Sequence, residues 1–83
     1  MLSKKELQEK ALSLSSQSTI RFSSDSKIEY TFILDREKIL FFMEYLPKWK
    51  NGVRYFLISE IRFGIRDKIG LYLSEESGEL FVF

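Results

Sequence analysis

The alternation of apolar and polar residues between Glu60 and Val82 constrains this chain more than any other feature. Ile61, Phe63 and Ile65 alternate with Glu60, Arg62, Gly64 and Arg66; Ile69, Leu71 and Leu73 alternate with Gly70, Tyr72 and Ser74. A period of two belongs to strands with one buried face. Register then follows, because a slip of one residue sends every side chain to the other face. A two-residue turn at Asp67-Lys68 would set Arg62 against Leu73. A loop at Arg66-Asp67-Lys68 instead pairs Ile65 with Ile69, Phe63 with Leu71 and Ile61 with Leu73, and is the expected arrangement. The next hairpin is expected to turn through Glu75-Glu76-Ser77-Gly78, with Leu73 against Leu80, Leu71 against Val82, and Gly78 at positive φ.

These registers give the two faces different chemistry. One carries Ile61, Leu73 and Leu80 beside Phe63, Leu71 and Val82, all apolar and mostly aliphatic. The other carries Arg62, Tyr72 and Phe81 beside Gly64, Gly70 and Phe83. The first face reads as core, the second as an aromatic and arginine surface.

Upstream, Val53 to Ile58 is apolar except for Arg54, and its Val, Tyr, Phe and Ile favour strand. It is expected to run on in parity with Ile61, Phe63 and Ile65 as one long, bent strand, buried on both faces in its first half. At the start of the chain Ser3 caps a helix to Leu14, with Glu6 completing a capping box and Leu2 and Leu7 a hydrophobic staple. Thr19–Ser23 and Lys27–Leu34 read as a hairpin around Ser24-Asp25-Ser26, pairing Phe22 with Ile28, Ile20 with Tyr30, Arg21 with Glu29 and Thr19 with Thr31. Asp35 caps a second helix to about Leu46, where Pro47 disfavours continuation. Ile39, Phe42, Met43 and Leu46 form its core stripe; Phe41 and Tyr45 lie together on another side. Asn51-Gly52 signals a turn. The expected fold is α+β, in the order α-β-β-α-β-β-β, with a five-stranded, mostly antiparallel sheet and two helices on one face.

An 83-residue chain fits one small domain, residues 1–83, with enough surface to bury for a single core. It contains no cysteine and no histidine, which removes disulfides, thiolate metal sites and the commonest general base. No apolar run resembles a signal peptide or approaches the ~20 residues of a membrane span. A cytoplasmic protein without membrane contact is expected. Gly64 and Gly70 sit in strands and none of the four glycines forms a phosphate loop; Glu75, Glu76 and Glu79 cluster in a turn, where charged residues are ordinarily solvated. No enzymatic activity, cofactor or metal is therefore expected.

Charge is uneven although the total is only +1: Lys48 to Gly70 holds six basic residues against two acidic ones. Protein binding is the expected function, as a small inhibitor or accessory subunit, through Arg62, Tyr72, Phe81 and Phe83. Phe41, Tyr45 and Trp49 make a second candidate patch. A second copy of the chain is one expected partner, pairing through the C-terminal strand to form a homodimer. Single-stranded nucleic acid is the alternative, held on the same face by Arg54, Arg62, Arg66 and Lys68 around stacking aromatics.

Overall fold

A computed structural model describes residues 1–23 and 25–83. Among these residues two helices and six strands follow one another: α1 (Lys4–Leu14), β1 (Thr19–Ser23), β2 (Glu29–Ile33), α2 (Arg36–Tyr45), β3 (Pro47–Lys50), β4 (Val53–Phe63), β5 (Asp67–Ser74) and β6 (Leu80–Val82). The class is α+β and every strand pairing is antiparallel. The strands form two sheets, however, β1-β2 and β3-β4-β5-β6, rather than one sheet of five. β3 explains the difference. Asn51 and Gly52 both take positive φ, +52° and +78°, the backbone that a tight hairpin requires. The turn folds Pro47–Lys50 onto Val53–Phe56, so the edge of β4 is already occupied over its first half. The first hairpin meets β4 farther along through a side chain, the Ser59 hydroxyl donating to the Ile33 carbonyl at 2.6 Å.

β4 holds the second departure from expectation. Leu57 faces Tyr72 but Ser59 faces Leu71, so Ile58 is an extra residue in the ladder. The bulge reverses parity along the strand. Before it, Phe56 meets Leu73; after it, Ile61 meets Ile69. Phe56 and Ile58 enter the core, while Tyr55 and Leu57 go to the opposite face. The expected parity of Val53, Tyr55 and Leu57 with Ile61 is thereby overturned, and the unbroken apolar run from Tyr55 to Ile58 is accounted for.

The β4–β5 turn runs through Gly64, Ile65 and Arg66 rather than Arg66-Asp67-Lys68, and Phe63 pairs with Asp67. Gly64 takes φ +68°, a conformation the glycine-free loop had nobody to supply. Thr19–Ser23 is likewise offset by two from its expected partners: Phe22 meets Tyr30 and Ile20 meets Phe32. Arg21 still reaches Glu29, now diagonally, at 3.5 Å. Ser24, in the expected loop of this hairpin, lies outside the described residues. The β5–β6 register is as expected, with Gly78 at φ +71°.

Both helix caps form as read. The Ser3 hydroxyl accepts from the Glu6 N–H while the Glu6 carboxylate accepts from the Ser3 N–H, and the Asp35 carboxylate accepts from the Lys38 N–H. The bonds from Ser3 hold the Glu6 carboxyl below its ordinary range. Leu7 and Ala11 of α1, Phe32 of β2, and Ile39 and Met43 of α2 close over Phe56, Ile58, Leu71 and Leu73 of the larger sheet. Helices and first hairpin thus share one face of that sheet. The other face is left to its own side chains.

Candidate functional site

The outer face is built by alternation along four strands. β3 contributes Lys48, opposite Tyr55, and Lys50, opposite Val53. β4 adds Leu57 and, beyond the bulge, Glu60 and Arg62; β5 adds Lys68, Gly70 and Tyr72; Phe81 and Phe83 complete it. Phe83 extends the β6 ladder, exchanging both backbone hydrogen bonds with Gly70 at 2.9 and 3.1 Å.

The aromatic rings pack against one another. Tyr72 stacks on Phe83 at 4.5 Å and 9°. Tyr55 presents its edge to both Phe81 and Phe83, at 5.4 and 5.0 Å. Lysines lie over the group, with Nζ of Lys50 4.3 Å from the centre of the Phe83 ring and Nζ of Lys48 5.2 Å from it. This packing leaves Tyr72 only 6% exposed, whereas Phe81 remains 38% exposed. Tyr72 is therefore the keystone of a second, small core, and among Tyr72, Phe81 and Phe83 it is Phe81 that lies most open to a partner. Lys48, Lys50 and Tyr55 were not singled out from the sequence. Reading Asn51-Gly52 as the centre of a hairpin, with equal strands either side, puts Lys48 opposite Tyr55 and would have found them.

The expected cations separate. Arg62 and Lys68 oppose each other on the outer face, where Arg62 pairs with Glu60 at 3.4 Å. Arg66 sits in the adjoining turn. Arg54 points to the other face: it pairs with Trp49 across the ladder, lies 4.9 Å from the Phe56 ring and forms an ion pair with Glu75. Among Phe41, Tyr45 and Trp49, the first two touch, with centroids 5.1 Å apart, and all three are more than half exposed. α1 packs on α2 without covering them. Trp49 has no ring contact with that pair among the described residues; its neighbour is Arg54, 5.7 Å away.

Lys48, Leu57, Glu60, Lys68, Gly70 and Tyr72 also line a pocket of about 80 Å³, and Oε2 of Glu60 is buried without a hydrogen-bond partner among the described residues. Burial pushes the Tyr72 phenol above its ordinary value of 10.0, and the nearby Glu60 carboxylate adds to the shift. A group whose folded pKa is raised contributes stability that is intact below its unfolded pKa and lost as pH rises through the folded one. The melting temperature is thus expected to fall above about pH 10, and Tyr72→Phe to flatten that fall. Thermal melts of both proteins between pH 8 and 11 check this; identical slopes would mean that the phenol ionises as freely in the folded state.

Among the described residues no group of three or more His, Cys, Asp and Glu is placed to hold a metal ion, and no helix is long and apolar enough to cross a membrane. Fold and site together define a small α+β protein whose larger sheet leaves one aromatic, lysine-bordered face outside the main core. Comparisons with protein-family models, curated proteins and solved structures give no match.

Proposed function

We propose that the chain is a non-catalytic interaction module, of the inhibitor or accessory-subunit kind, that docks an acidic segment of a partner protein on the outer face of its four-stranded sheet. One observation carries this reading: Lys48, Lys50, Lys68 and Arg62 border an aromatic group on the face that neither helix nor first hairpin covers, and Glu60 is already paired with Arg62. Charge of one sign around a partly exposed apolar centre favours a guest of the opposite sign. Phe81 offers the apolar contact and the lysines the steering.

The test is a titration of the isotope-labelled chain with a capped peptide rich in Asp, Glu and Leu. Backbone amide shifts are expected at 48–50, 68–72 and 81–83. The Lys48→Glu/Lys50→Glu variant should lose about tenfold or more in affinity while its stability changes by less than about 1 kcal/mol, as exposed substitutions do. Shifts confined to α2, around Phe41 and Tyr45, would transfer the role to that patch.

Single-stranded nucleic acid is the second reading, favoured by the continuation of the cationic border through Lys68 and Arg62 to Arg66. It ranks behind because bases need open ring faces. Tyr72 and Phe83 spend a face on each other, and Lys50 lies over Phe83 as well. Fluorescence anisotropy with short single strands separates the two readings. Binding that weakens with salt at a slope of about −0.7 per neutralised phosphate supports this one, and no binding at low salt removes it.

A further inference from the structure

We infer that the free edge of β6 receives an extended segment of a partner protein as an added strand, separately from whatever occupies the outer face. Antiparallel ladders alternate between residue pairs that exchange hydrogen bonds and pairs that do not. Gly70 and Phe83 exchange both bonds, and the Ser74 N–H donates to the Glu79 carbonyl at 3.0 Å. Leu71–Val82 and Leu73–Leu80 are consequently the pairs that do not exchange. The N–H and C=O groups of Leu80 and Val82 turn away from β5 toward the sheet edge, and no described residue takes them up.

Next to this edge runs a groove of about 630 Å³, with Phe22 and Tyr30 of the first hairpin facing Ile69, Leu80 and Val82. The separation of the two sheets creates it: the hairpin comes alongside β6 but does not join its ladder.

The chemistry of the edge selects the guest. Two donor–acceptor sets, two residues apart along a strand, are matched by another extended polypeptide backbone. Side chains of such a strand that lie opposite Leu80 and Val82 enter the apolar groove, so every second residue should be of the Val or Ile kind. Among the described residues Asp25 is the only charged one lining the groove, and none of them forms an ion pair with it. A lysine or arginine at one end of the guest complements it.

A second copy of this chain fits less well. β6 has three residues, about 10 Å of strand, too short to approach the roughly 800 Å² per partner of a stable interface on its own.

The experiment titrates the isotope-labelled, full-length chain with the capped peptide Lys-Val-Thr-Val-Thr-Val and with the same peptide N-methylated at the amides that would face β6. The expected result is protection of the Leu80 and Val82 amides from hydrogen exchange at saturation, with about tenfold or more weakening on N-methylation. Because methylation alters only the peptide, the result does not depend on any variant folding. Asp25→Lys, at an exposed position, should weaken the same peptide several-fold. Absence of binding at about 1 mM peptide, the weak end of specific recognition, overturns the inference. Equal affinity for the methylated peptide does so too, as does a dimer of the free chain at ~100 μM in which those two amides are already protected. Failure here leaves the outer-face reading untouched, since that one is reported by the amides of 48–50 and by a peptide of opposite charge.

Discussion

Phe32→Ala is expected to cost about 3–5 kcal/mol of folding stability, the usual range for removing a fully buried phenylalanine. That is a large part of the roughly 5–15 kcal/mol that separates folded from unfolded states in domains of this kind. Phe32 is wholly buried, and its position makes the loss local as well as large. The β1–β2 hairpin shares no ladder with the four-stranded sheet. Side chains hold it there: Phe32 in the core, Ile20, Phe22 and Tyr30 partly buried against it, and the Ser59 hydroxyl on the Ile33 carbonyl. A two-stranded hairpin alone is at best marginally stable in water. Without the Phe32 ring, amides of β1 and β2 should exchange well ahead of those of β4 and β5. Urea melts give the total, and residue-resolved hydrogen exchange gives its distribution. Ile33→Ala, whose side chain is exposed, is the control and should change stability by no more than about 0.5 kcal/mol. Uniform loss of protection in Phe32→Ala would mean that the two sheets open as one cooperative unit.

The sequence distance over which a feature is set explains which parts of the fold could be read from the chain. Features set by a few adjacent residues were legible: the Ser3–Glu6 capping box, the Asp35 cap, the Gly78 turn and the β5–β6 register. Features that differ by an even number of residues were not. Moving the β4–β5 pairing by four, or the β1–β2 pairing by two, leaves every side chain on its own face, so hydrophobic matching cannot choose between registers. Only the conformational demand of the turn chooses, and Gly64 meets it. The bulge at Ile58 was hidden for the opposite reason. It reverses the faces inside a run so apolar that either parity looks buried. Of the candidate site, Tyr72, Phe81 and Phe83 were placed on one face correctly because they depend on the register that was read correctly. Lys48, Lys50 and Tyr55 were missed along with β3.

That group of rings also carries a prediction whose sign runs against expectation. Glycine in a strand normally weakens it, and replacing it by alanine at a compatible backbone stabilises by roughly 0.4–1 kcal/mol through the unfolded state. Gly70→Ala should instead destabilise by about 2–3 kcal/mol. A Cβ at Gly70 would stand 2.5 Å from Cε1 of Tyr72 and 2.9 Å from its Cζ and hydroxyl oxygen, because the ring lies across the glycine. Overfilling a packed site costs about 1–3 kcal/mol. Turning the ring aside to relieve it also forfeits the stack on Phe83, worth about 0.5–1.5 kcal/mol. Both terms oppose the entropic gain and together outweigh it. For a chain of this length the melting temperature should drop by roughly 10–20 °C. A four-protein cycle assigns the cause. In a Tyr72→Ala background no ring lies over residue 70, so Gly70→Ala should be neutral or stabilising, and the coupling between the two sites should exceed about 2 kcal/mol. If Gly70→Ala melts at the wild-type temperature, the ring is free to leave at no cost, and Tyr72 is then a mobile side chain of the outer face instead of the centre on which its aromatic residues are assembled.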